Sequence, residues 1–193
     1  DTARLLYIIY IVMTVALIIL LRLGGMPLFE SVLHAFGTAG TGGFGIKSDS
    51  IAGYSPYIQW VIAVFMLLFG INFNLYYMLL IRRFRAAFGS RELHCYLAAV
   101  VVSVAVISVD IYPRFASASE SIRQAFFQVS SVITTTGFST SDFNLWPQLS
   151  KAILFLLMFV GGCAGSTAGG LKFSRLMILC KMIRRELHRM AHP

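Results

Sequence analysis

Charge is what this sequence has least of. Only 12% of its 193 residues are Asp, Glu, Lys or Arg, about half the share of an ordinary soluble domain. The eight acids are scattered singly, so no pair of carboxylates is placed for general acid–base work. Four histidines (His34, His94, His188, His192) form no spaced metal set. Three cysteines (Cys95, Cys163, Cys180) contain no CxxC pair, which excludes a disulfide framework or a zinc ribbon and leaves buried structural thiols as the expectation. With no acid, base or nucleophile placed beside partners, neither an enzyme nor a resident cofactor is expected. The net charge of +8 could point to nucleic acid, but its distribution points elsewhere.

What fills the chain instead is apolar length. Hydrophobic residues make up 58% of it, in runs that approach the roughly 20 residues a hydrocarbon core requires. Leu5 to Leu21 carries no charge, and neither does Tyr57 to Ile81. Cys95 to Val109 is shorter. Ala152 to Leu171 is uncharged, with apolar character resuming through Lys181. Four such runs alternating with polar segments describe an all-α membrane protein.

Lys and Arg then set the orientation. Arg4, Arg82, Arg83, Arg85, Arg91, Lys172, Arg175, Lys181, Arg184, Arg185 and Arg189 fall on one side, against Arg22, Lys47, Arg114, Arg123 and Lys151 on the other. Eleven against five places both ends and the Arg82–Arg91 loop in the cytoplasm. Anionic lipid headgroups, rather than nucleic acid, are the partners this asymmetry fits. The first run has no small-residue cleavage site and is followed by Arg22, unlike a signal peptide. Because it starts at Asp1, the chain is expected to be an excerpt or a processed product.

One pattern occurs twice. Thr41-Gly42-Gly43-Phe44 is followed, 94 positions on, by Thr135-Thr136-Gly137-Phe138. Each copy follows a run too short to span, Ser31 to Thr38 and Ser121 to Ile133, and each precedes a long apolar segment opened by a proline, Pro56 or Pro147. The plan is helix, re-entrant half-helix, Thr-Gly strand, helix. It predicts two tandem helix–pore-loop–helix repeats, residues 1–91 and 92–193, with four transmembrane helices and two re-entrant half-helices. Such self-similarity decides architecture better than local propensity does.

The copies differ in their last helix. Gly161 to Gly170 holds five glycines in ten residues, each costing a helix about 1 kcal/mol against Ala. The second inner helix is therefore expected to be interrupted, with an intramembrane loop over 161–171. That segment admits close helix packing through Gly161, Gly165 and Gly169, or an unwound loop acting as a movable obstruction, with Lys172 and Arg175 just beyond to repel a cation. A phosphate loop is excluded, because Gly-Leu-Lys-Phe lacks the required Gly-Lys-Ser/Thr and no strand precedes it.

A dehydrated cation needs its water oxygens replaced, and backbone carbonyls of Gly and Thr at the tip of a half-helix can do this. Gly permits the dihedrals that aim carbonyls inward, Thr adds a hydroxyl, and the helix C-terminus presents its negative end. The bland alternative is an external turn. Gln59, Asn72 and Asn74 are expected to face other helices or a wet cavity, through packing hydrogen bonds or, as the alternative, ion contact, and His34, matched by Gln128, is read as packing.

With these residues in place, the chain resembles the Trk/Ktr superfamily of potassium transporters, TrkH-type membrane subunits in particular. The resemblance rests on the two Thr-Gly segments and on Gly-Gly-Cys-Ala-Gly-Ser-Thr-Ala-Gly-Gly-Leu-Lys, and covers the whole chain. It implies potassium uptake across the inner membrane by passive permeation, with K+ as the transported ion. The carbonyls of Thr41, Gly42, Gly43, Phe44, Thr135, Thr136, Gly137 and Phe138 would form the selectivity filter. The gate loop would comprise Gly162, Cys163, Ala164, Gly165, Ser166, Thr167, Ala168, Gly169, Gly170 and Lys172. The same resemblance makes this the second and third of four repeats around one pore. It implies as partners the remaining repeats of the same subunit, a second subunit in a homodimer, and a cytoplasmic nucleotide-binding ring. The competing reading is a non-transporting membrane scaffold or sensor whose re-entrant loops only pack.

Overall fold

A chain crossing lipid has to satisfy its backbone internally, so uncharged runs become helices. In a computed structural model, which describes residues 2–191, α1 spans Thr2–Leu23 and α2 spans Leu28–Ala39. The first of these has 22 residues, about 33 Å at 1.5 Å per residue, enough to cross. The second has only 12, starts after Pro27 and stops at Gly40. It is the expected first half-helix.

Helix α3 (Pro56–Phe69) begins where the Ser55 side chain caps the amide of Ile58 and Pro56 occupies the first turn, where its missing N–H costs nothing. The expected continuous helix from Tyr57 to Ile81 does not form. The chain turns by 89° after Phe69 and resumes as α4 (Phe73–Leu80). Asn72 caps the new helix, its side chain accepting from Asn74 N–H at 2.9 Å, and Gly70 lies at the bend. Asn72 is thus a local capping group, and the first copy is broken as well as the second.

After a five-residue α5 (Phe84–Phe88), α6 (Arg91–Ile111) is the second full crossing. The second half-helix, α7 (Ala118–Ile133), is capped by Ser117, which accepts from Glu120 N–H. Helix α8 (Gln148–Phe159) ends at the glycine-rich stretch, and α9 (Phe173–Ala191) leaves it. Among the described residues, two helices are long and apolar enough to cross a membrane, or three if α3 and α4 form one span. The fourth crossing is divided between α8, the loop and the start of α9. This is the expected all-α membrane fold of two helix–pore-loop–helix units, with the last inner helix interrupted.

Helix α1 packs on α2, α3 and α4, while α6 packs on α7, α8 and α9. The two halves join through α3 against α7, and their cores interlock. Phe127 and Phe138 belong to the core built around Leu17, Ile62 and Met66, and Leu67 belongs to the core around Tyr96 and Ile133. Gln59 is buried, with its amide nitrogen 3.2–3.4 Å from the carbonyls of Ile51, Ala52 and Tyr54. It is the packing group expected. Only Cys163 of the three thiols is buried; Cys95 and Cys180 are exposed, because they sit on faces of α6 and α9 that nothing in this chain covers.

Gln59→Leu removes the donor for the external segment's carbonyls. It is expected to destabilise the complete subunit by about 1–3 kcal/mol, seen as a lowered thermal midpoint in detergent. An unchanged midpoint would contradict this account.

Candidate functional site

The two Thr-Gly segments are built by the same hydrogen bonds. Past α2, Thr41 N–H donates to Thr38, and the amides of Gly42 and Gly43 both donate to the Gly37 carbonyl. Past α7, Thr135 N–H donates to Val132, and the amides of Thr136 and Gly137 both donate to the Ser131 carbonyl. Each donor and each acceptor is shifted by the same 94 positions. With the amides folded back on the half-helix, the peptide carbonyls point the other way. Among the described residues, those of Thr41, Gly42, Gly43, Thr135, Thr136 and Gly137 accept no hydrogen bond from the chain. The Phe138 carbonyl differs, accepting Ser131 Oγ at 2.5 Å.

The dihedrals repeat too. Thr41 and Thr135 have φ of 50° and 56°, and Gly43 and Gly137 have φ of 64° and 94°. Left-handed backbone at a β-branched residue is rare, and each instance stores on the order of 1–3 kcal/mol. Gly43 is required twice over. Its φ favours glycine, and an added Cβ would collide with the carbonyl of Thr136 on the neighbouring segment. The two segments therefore lie against each other.

Both strained threonines hold the glycine-rich loop. Thr41 Oγ1 donates to the Thr167 carbonyl at 3.2 Å, and Thr135 Oγ1 accepts from Gly169 N–H at 2.7 Å. Each hydroxyl thus makes a hydrogen bond to the loop. The loop itself closes on a narrow neck. Gly161 N–H donates to Leu171 at 2.8 Å, and Val160 pairs with Leu171 as a parallel bridge. A Cβ on Gly161 would collide with the Gly169 carbonyl.

The loop is also bonded to the bend between α3 and α4. Cys163 N–H donates to Gly70, Thr167 N–H and Oγ1 both donate to Phe69, and Phe73 N–H donates to Gly165. Lys172 Nζ turns back onto the Ala168 carbonyl. Gly162, Cys163 and Ala168 are buried, Ala164, Ser166, Thr167 and Lys172 half-buried, and Gly165, Gly169 and Gly170 exposed.

Behind the segments, His34 is fully buried. Its ring stacks on Phe138 with centroids 5.8 Å apart, and its Nδ1 lies 2.7 Å from the Glu30 carbonyl oxygen. Gln128, at the matching position, is buried likewise. Packing was the reading from the sequence, and packing is observed. Tyr54 lies edge-on to the same histidine and donates to the Glu30 carboxylate at 2.7 Å. Burial first, and then that carboxylate, push the Tyr54 phenol well above its ordinary range, so it stays a donor. The two phenylalanines differ: Phe138 is wholly buried, whereas Phe44 is 78% exposed. Phe44 borders an apolar hollow of about 500 Å3 shared with Phe29, Val32 and Phe36.

Sequence reasoning missed Glu92, Phe69 and Gly70 as partners of the loop. Phe69 and Gly70 act through backbone, which composition does not reveal. Glu92 was visible only as a lone acid beside a run of arginines.

The family model for TrkH, described as a cation transport protein, matches residues 1–193. This chain belongs to the TrkH family. It is 38% identical over its whole length to the Trk system potassium uptake protein TrkH of Escherichia coli and 37% identical to that of Salmonella typhimurium. It is 36% identical to TrkG of Escherichia coli, again along the whole chain. The crystal structure of the potassium transporter TrkH from Vibrio parahaemolyticus superposes with a TM-score of 0.93 at 32% identity, covering 100% of this chain and 42% of that one. The chain spans 41% of the two TrkH relatives and 40% of TrkG.

Gly43→Ala places a methyl group against the Thr136 carbonyl in a disfavoured φ. The complete subunit carrying it is expected to lose at least tenfold in ion flux in liposomes, or to fail to assemble. Normal flux with normal folding would contradict the observed approach of the two segments.

Proposed function

We propose that this chain supplies two of the repeats lining the pore of a potassium uptake subunit, with residues 1–91 forming one and residues 92–193 the other. The carbonyls of Thr41 to Phe44 and Thr135 to Phe138 replace the hydration oxygens of K+ as it enters from outside. Loop residues Gly162 to Gly170, with Lys172, lie beneath and obstruct passage until displaced. Permeation is passive, driven by the membrane potential.

The observation that carries this reading is the bond-for-bond repetition of the two segments above a loop that grips both at once. Turning the amides back onto Gly37 and Ser131 frees the carbonyls in register, and a desolvated cation requires such a set of fixed dipoles. A purely packing module has no use for unsatisfied carbonyls at membrane depth, since each costs several kcal/mol unless an ion or water meets it.

Phe44 and Phe138 support a pore shared with further repeats. Phe138 seats in the core of the preceding unit against His34, while Phe44 at the matching position is exposed beside an apolar hollow. A preceding repeat of the same subunit would receive Phe44 as the first unit receives Phe138. The homodimer and a cytoplasmic nucleotide-binding ring are carried over from the family resemblance, the basic cytoplasmic segments offering the docking charge. The positive-inside asymmetry puts both ends of this segment in the cytoplasm of a cell whose inner membrane holds the protein. A scaffold or sensor whose loops only pack remains the rival to exclude.

Two measurements on the complete subunit decide. Gly137→Ser forces a side chain into φ 94° and is expected to reduce K+ preference over Na+ by tenfold or more; unchanged flux and preference would sink the filter assignment. Deleting residues 164–168 is expected to raise basal flux, and unchanged or lower flux counts against the gate.

A further inference from the structure

One carboxylate lies at the place where the glycine-rich loop enters and leaves the fold. Glu92 stands in the first turn of α6 and is half-buried. Its Oε1 accepts the amide of Ala164 at 2.7 Å and the amide of Ser174 at 3.0 Å. Ala164 follows the first part of the loop, and Ser174 is the second residue of α9. A single oxygen thus ties both flanks of the loop to a full transmembrane helix. It also satisfies an orphan donor in the first turn of α9, where negative charge is favoured. The other bonds on the loop come from backbone or hydroxyl groups, all neutral, apart from the Lys172 contact within the loop itself. Hydrogen bonds to an ionised acceptor are roughly twice as strong.

We propose that Glu92 is the positioning residue that latches the loop in its obstructing conformation, and that opening requires this carboxylate to release the amides of Ala164 and Ser174. The inference rests on the gate reading above and names what holds that gate. Release frees both flanks together, because one oxygen carries both bonds. The loop can then withdraw from Thr41 and Thr135, hinged at the Gly161–Leu171 neck, as its bonds to Phe69, Gly70 and Phe73 part with them. Lys172 contributes from within the loop, its ammonium bonded to Ala168. Glu92 also attracts that ammonium electrostatically.

The test uses the complete subunit in liposomes without cytoplasmic partners, reading rubidium uptake, together with amide hydrogen exchange over residues 163–175. Glu92→Ala is expected to raise basal uptake about ten- to a hundredfold and to speed exchange at both flanks. Glu92→Gln, a neutral acceptor of the same length, should fall between. The K+ over Na+ preference should stay unchanged, a readout that general misfolding would disturb. Adding Glu92→Ala to the 164–168 deletion should raise uptake no further. If the deletion raises uptake and Glu92→Ala does not, the latch is overturned while the gate stands. If the deletion raises nothing, the gate reading fails and exchange alone judges the latch: faster exchange keeps Glu92 as the loop's anchor, and unchanged exchange overturns it. Should Glu92→Ala not fold, Glu92→Gln is judged on the same two readouts.

Discussion

Two helices in this chain are broken at membrane depth, and each break supplies the hydrogen bonds the other lacks. Interrupting a helix orphans several N–H and C=O groups, and lipid provides no partner for them. Here the carbonyls of Phe69 and Gly70, freed by the bend before α4, accept from Thr167 and Cys163, and the freed amide of Phe73 donates to Gly165. The glycine-rich loop is therefore bonded to a bend in the first repeat that is remote in sequence, and the bend to the loop.

This reciprocity places the loop directly against the two Thr-Gly segments. Thr41 and Thr135 keep left-handed backbone at a cost, and both spend their hydroxyls on the loop rather than on one another. Anything that moves the loop removes partners from two strained residues at once. The two Thr-Gly segments and the glycine-rich loop are in this way neighbours in one hydrogen-bonded assembly rather than separate modules, and Glu92 ties that assembly to α6.

Apolar side chains stand exposed on several faces, Phe44 and Val109 among them, and the chain spans 41% of its TrkH relatives' length. The contrast between buried Phe138 and exposed Phe44 is the sharpest instance, since the two segments repeat the same backbone bonds while Phe138 alone meets His34. The thiols of Cys95 and Cys180 are exposed as well.

Much of this was legible in the residues. The apolar runs placed α1 and α6, and the 94-residue repeat located both half-helices and both Thr-Gly segments. Five glycines in ten residues announced the interruption after α8, since backbone entropy and missing side chains forbid a stable helix there. The bend at Gly70 was not legible. A run of 25 uncharged residues reads as one helix, and a single glycine with Asn72 is too weak a signal to break it locally. The loop, 92 to 98 residues further along, supplies bonds to the groups that the bend frees. The same holds for the threonine hydroxyls and for Glu92, whose partners are backbone amides that no composition names. Sequence by itself determined which segments are helical and where they repeat, because burial in lipid and backbone propensity are local. Tertiary structure decided which broken ends meet, because hydrogen bonds between distant backbones have no signature along the chain.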